Sequence, residues 1–99
     1  MARSLKLNGN KITSENNFFK YFENNLLLNR KIKIKNSLDT FADILEGGFG
    51  YFEEDEEIYI EWTNFEKSKK NLDMNFINSV IEIFNENSNI SYDIYEYRK

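Results

Sequence analysis

Two hydrophobic periods alternate along this chain, and their order constrains the fold more than any other feature. Ser4-Leu5-Lys6-Leu7 alternates polar and apolar before Asn8-Gly9-Asn10, the pattern of a half-buried strand running into a turn. Thr13 and Ser14 precede Phe18, Phe19, Phe22, Leu26 and Leu27, which are spaced for one face of a helix over residues 14–28. Residues 30–35 read as a connector. Asn36 or Ser37 can cap a second helix, with Leu38, Phe41, Ala42, Ile44 and Leu45 as its apolar stripe and Gly47 and Gly48 as its stop. After an acidic loop over residues 50–57, Ile58-Tyr59-Ile60-Glu61-Trp62 is a β-branched and aromatic run of strand length. Thr63 opens a short helical segment to about Lys70. Asp73 caps a longer helix that turns Phe76, Ile77, Val80, Ile81 and Phe84 inward, and residues 85–89 end it. Ile90-Ser91-Tyr92-Asp93-Ile94-Tyr95 makes a third strand. The order strand, two helices, strand, two helices, strand predicts right-handed crossovers and an α/β fold, a three-stranded parallel sheet with helices packed on it.

A chain of 99 residues suits one domain, over 1–99, because domains cluster near ~100–150 residues. Without Cys there is no disulfide, thiolate nucleophile or Cys-based zinc site, and without His the commonest general base and metal ligand are gone together. No apolar run approaches the ~18 residues that span a bilayer, and Met1-Ala2-Arg3-Ser4 does not begin a signal peptide, so a soluble cytoplasmic protein is expected. Net charge is −4, but the charges are segregated. Residues 1–36 hold eight bases against two acids, residues 37–62 hold nine acids and no base, and the remainder is nearly balanced. Such segregation predicts a partner with a basic site.

Asp39, Asp43 and Glu46 stand at i, i+4 and i+7 of the second helix, which puts three carboxylates on the face opposite the apolar stripe. Like charges at this spacing cost a few tenths of a kcal/mol, and Glu46 near the C-terminal end also opposes the helix dipole. A local conflict of this kind is expected at a functional surface. The run Glu53-Glu54-Asp55-Glu56-Glu57 lacks the alternating oxygen ligands and central Gly of a calcium loop. As a glycosidase pair, Asp39 and Asp43 have nothing to push their pKa values apart. The basic stretch over residues 30–35 interleaves Ile with its charges and offers no stacking aromatic, so direct nucleic-acid binding is not expected. Neither an enzyme nor a cofactor or metal is predicted, and the reading is a binding protein.

Leu7-Asn8-Gly9 resembles the opening strand and turn of the barstar family of ribonuclease inhibitors, and Ser37-Leu38-Asp39-Thr40-Phe41-Ala42-Asp43-Ile44-Leu45-Glu46-Gly47 resembles its inhibitory helix. Glu61-Trp62-Thr63-Asn64-Phe65-Glu66-Lys67-Ser68-Lys69 is similar to the family's second strand and following helix, and Phe84-Asn85-Glu86 to the end of its last helix. The resemblance implies an acidic helix that plugs the active-site cleft of a secreted ribonuclease, its carboxylates replacing RNA phosphate. It makes Asp39, Asp43 and Glu86 the charge anchors, with Glu46 and Gly47 beside them. The chain departs from the family pattern where Lys33 and Ala42 replace aromatic residues and where Gly48-Phe49 stands in place of a further Trp, leaving Phe49 or Tyr51 as apolar contacts. The implied role is an immunity protein that binds a cognate ribonuclease toxin, 1:1, away from membranes. Two alternatives share the surface: immunity to a toxin of other chemistry, such as a deoxyribonuclease, and an acidic interaction domain for a basic protein that is not a nuclease.

Overall fold

The computed structural model describes residues 2–25, 34, 37–47 and 56–96. Strand β1 (Ala2–Asn8) leads through a single 3-10 turn (Gly9–Lys11) to helix α1 (Glu15–Asn25); helix α2 (Leu38–Gly47) is followed by strand β2 (Glu57–Thr63), helices α3 (Phe65–Asn71) and α4 (Met74–Glu86), and strand β3 (Ile90–Ile94). The strands form one sheet in the order β1-β2-β3, and both pairs are parallel. The α/β architecture, with three parallel strands and four helices, is therefore the one the periodicities predict.

Helix faces follow from spacing. Phe18, Phe19 and Phe22 of α1 and Phe76, Ile77, Val80 and Phe84 of α4 are buried, as are Ile58, Ile60 and Trp62 on one face of β2. The opposite face of β2, at Tyr59 and Glu61, is only half-covered. Period two thus gives the sheet an apolar side under the helices and a polar side that carries the Lys6–Glu61 ion pair (3.6 Å) and the Tyr59–Asp93 hydrogen bond (2.7 Å). Phe18 is the hub of the core, with its ring centroid 5.0–5.9 Å from those of Phe19, Phe22, Phe41, Trp62 and Phe76. All five pairs are edge-to-face or tilted and none is a face-to-face sandwich, as the ring quadrupole favours.

Several boundaries differ from the sequence reading, beginning with β1, which spans Ala2–Asn8 and not only the alternating residues 4–7. Thr63 does not open a helix: it is the last residue of β2, in register with Asn8, and its hydroxyl donates to the Leu7 carbonyl at 3.3 Å. Asn64, with φ 52°, takes the left-handed turn instead, a conformation that Asn tolerates better than most residues. Helix α3 then begins at Phe65 without a side-chain cap, and its first amides find backbone acceptors instead: Phe65 N–H donates to the carbonyl of Tyr95 at 3.0 Å, Glu66 N–H to that of Glu96 at 3.4 Å and Lys67 N–H to that of Asn64 at 3.0 Å. Tyr95 itself lies just beyond β3, and Glu57, read as the end of the acidic loop, is the first residue of β2. The end of the first helix beyond Asn25, the connector apart from Ile34, and the acidic loop before Glu56 lie outside the described residues.

Gly9 is required by close approach. A Cβ there would overlap the carbonyl oxygen of Asn64 and stand 2.9 Å from the Ser68 hydroxyl, so no side chain fits without moving backbone. The end of β1 and the β2–α3 corner are thereby pressed together, and the Asn64 side-chain amide donates to Asn8 Oδ1 at 3.0 Å across the same seam.

Candidate functional site: the outer face of the second helix

Helix α2 starts where Ser37 caps it. The Ser37 hydroxyl accepts the Thr40 N–H at 3.2 Å and its carbonyl accepts the Phe41 N–H at 2.9 Å, so of the two candidate caps Ser37 fills the role. Inward, Phe41, Ile44 and Leu45 are buried. The Phe41 ring lies 4.9 Å from Phe22, 5.6 Å from Phe18, 5.7 Å from Phe19 and 6.4 Å from Phe84, which fixes α2 to both α1 and α4. At about 100° per residue, Asp39, Asp43 and Glu46 fall within roughly 60° of one another and nearly opposite Phe41. All three are exposed. Thr40 and Ala42 flank them half-buried, and Gly47 is the last residue of the helix.

Some acids of the described surface meet bases: Arg3–Glu56 at 3.1 Å, Lys69–Glu96 at 3.0 Å, and Lys70–Glu66 at 3.4 Å within α3. Others, such as Glu15, Glu57 and Glu82, stand singly without one among the described residues, whereas on α2 three unpaired carboxylates share one face. Among the described residues, Asp39, Asp43 and Glu46 have no ion-pair or hydrogen-bond partner, and α2 has no base in its last turn. Glu86, at the end of α4, is also exposed; Phe84, two residues before it, contacts Phe41, which brings the last turn of α4 beside α2. Of the residues predicted for the contact, the structure therefore sets Asp39, Ala42, Asp43, Glu46 and Gly47 on one helix and Glu86 on its neighbour. Lys33, Phe49 and Tyr51 lie outside the described residues. No group of three Asp or Glu among the described residues is arranged to hold a metal ion, and no described helix is long and apolar enough to cross a membrane.

The Trp62–Lys69 stretch has a different use. The buried Trp62 Nε1–H donates to the Ser68 hydroxyl at 3.0 Å, Phe65 packs edge-on to Trp62 at 5.0 Å, and the Lys69 ammonium lies 5.6 Å from the centre of the Phe65 ring. These residues build the turn from β2 into α3. Residues 2–93, which span this corner and the acidic helix, match the family described as Barstar (barnase inhibitor). The chain belongs to the barstar family. Barstars are non-enzymatic inhibitors that bind barnase-type ribonucleases, and membership suggests the same broad role here. No curated protein sequence matches the chain significantly. One feature of this barstar-family structure escaped the sequence reading: the Glu23 carboxylate Oε2 accepts the backbone N–H of Ile34 at 2.6 Å. Periodicity carries no signal for it, because the contact joins a side chain of one element to the backbone of another.

Proposed function

We propose that the chain is a cytoplasmic immunity protein that neutralises a secreted bacterial ribonuclease toxin, one to one, by laying the outer face of α2 into the toxin's active site. Asp39, Asp43 and Glu46, with Glu86 at the rim, stand in for the phosphates of RNA among the basic groups that normally hold them. Ala42 with its single methyl, and Gly47 with no side chain, let the partner approach the helix closely. Lys33 and Phe49 belong to the contact on the family resemblance alone. The observation that carries the reading is the outward row of three exposed carboxylates with no cation beside them among the described residues. Leaving them unneutralised keeps their field available to a basic cleft, which speeds encounter and makes it salt-dependent. Association steered by charge in this way is the behaviour of the family's barnase–barstar complex.

The test is association of the purified chain with a barnase-type ribonuclease, for wild type, Asp39→Asn and Asp43→Asn, at low and high salt, with inhibition of RNA cleavage measured in parallel. Slower association in high salt and weaker binding by both variants are expected. Indifference to both salt and substitution would sink the acidic-plug mechanism. Protection against a deoxyribonuclease toxin and not against any ribonuclease would keep the surface and replace the partner.

A further inference from the structure

Glu23 sits in the last turn of α1, where there is no basic residue, and a carboxylate at that end faces the negative pole of the helix dipole. Its position is locally unfavourable, so its reason lies outside the helix. One partner that it finds there is the Ile34 N–H, eleven residues on, which donates to Glu23 Oε2 at 2.6 Å in a short, charge-assisted hydrogen bond. Ile34 is 1% exposed and belongs to the core, so the tether holds a residue that is also anchored by its side chain. The Ile34 carbonyl in turn accepts the Ser37 N–H at 3.4 Å, and Ser37 caps α2 through Thr40 and Phe41. A continuous run of contacts therefore leads from the end of α1 to the turn that carries Asp39.

We infer that Glu23 is a positioning residue for the acidic helix: through Ile34 and the Ser37 cap it holds the first turn of α2 where a partner requires Asp39 to be. The inference rests on the function proposed above for that face, but its structural half concerns the free protein alone. A helix start held before encounter spends no binding energy on ordering, whereas one that samples several positions binds with an affinity reduced by the fraction that is competent.

Amide hydrogen exchange on the free protein and binding to a barnase-type ribonuclease separate the two halves. In wild type the Ile34, Thr40 and Phe41 amides should be protected. Glu23→Ala should lose that protection selectively, leaving the amides of β2 unchanged, and should weaken ribonuclease binding by roughly three- to tenfold, mainly through slower association. Glu23→Gln keeps a side-chain oxygen to accept the Ile34 N–H, so it should retain protection and bind within about twofold of wild type. A purely structural role would lower the melting temperature of Glu23→Ala without changing its affinity well below melting. The inference is overturned by an unprotected Ile34 amide in wild type, by Glu23→Gln losing as much as Glu23→Ala, or by Glu23→Ala binding normally when Asp39→Ala does not. If Asp39→Ala also binds normally, the acidic-plug reading has failed, and the exchange data still decide whether the tether exists.

Discussion

The corner between β2 and α3 and the outer face of α2 both carry polar side chains, and the two treat them in opposite ways. In the corner, Trp62 Nε1, Thr63 Oγ1, Ser68 Oγ and the Asn64 amide each have a partner within the chain, and among the described residues no buried side-chain polar atom is left unsatisfied. On α2 the three carboxylates have none among the described residues. The first region is complete in itself, since each residue is chosen by the others. On the function proposed above, the second is completed by a partner outside the chain, as a surface shaped by binding and not by packing would be. It follows that the most family-specific stretch of sequence, around Glu61-Trp62 and Ser68-Lys69, identifies the scaffold, while the proposed activity lies elsewhere.

Substitutions can break that division. The largest effect is expected at Phe41, which lies in neither region but ties the acidic helix to the core: Phe41→Ala should cost about 3–5 kcal/mol in denaturant unfolding and weaken ribonuclease binding as well. Gly9→Ala should cost about 1–3 kcal/mol, because its methyl meets the Asn64 carbonyl. Ser68→Ala should cost about as much by leaving the buried Trp62 N–H without an acceptor. Both should leave ribonuclease affinity unchanged at temperatures where the protein stays folded. A loss of affinity in either variant would mean that the corner takes part in binding. Ser37→Ala, which removes the cap, should lower stability by about 1 kcal/mol.

Asp39→Asn and Asp43→Asn should shift stability by no more than about 0.5 kcal/mol, with relief of the i, i+4 repulsion offsetting other losses, while weakening a salt-sensitive association. A large destabilisation by either would show that these carboxylates serve the fold after all. The smallest effect concerns the polar side of the sheet. The hydrogen bond to Asp93, and then burial, push the Tyr59 phenol above its ordinary value of 10.0. The folded state therefore keeps this proton where the unfolded chain releases it, so the stabilisation is fully present below pH 10 and falls away as pH rises further. Asp93→Asn should bring the Tyr59 titration back toward 10.0 in an absorbance titration, with no effect on ribonuclease binding.

Most of the fold was legible because its signals are local. Alternation in residues 4–7, helical spacing of Phe18, Phe19 and Phe22, and Asp73 before a run of inward apolar residues each report a neighbourhood a few residues wide. Asp73 does cap α4, accepting the Asn75 N–H at 2.8 Å. The acidic face was legible for the same reason, since i, i+4 and i+7 lie within two turns. The reading failed at Thr63. A hydroxyl residue before a Phe resembles a helix cap, and nothing nearby reveals that Thr63 is held in the sheet by pairing with Asn8.

The order of elements, the parallel sheet and the row Asp39, Asp43, Glu46 were thus determined by the sequence itself, through periodicities that any short window displays. Tertiary structure alone decided that Gly9 must stay bare against Asn64, that Trp62 gives its proton to Ser68, and that Glu23 reaches forward to Ile34. Two of these three join residues eleven or more apart, and in the third a buried indole finds its acceptor across the corner; none recurs with a period. Such contacts exist only once the helices have closed over the sheet, because it is burial that makes an unpartnered polar group or a misplaced methyl costly.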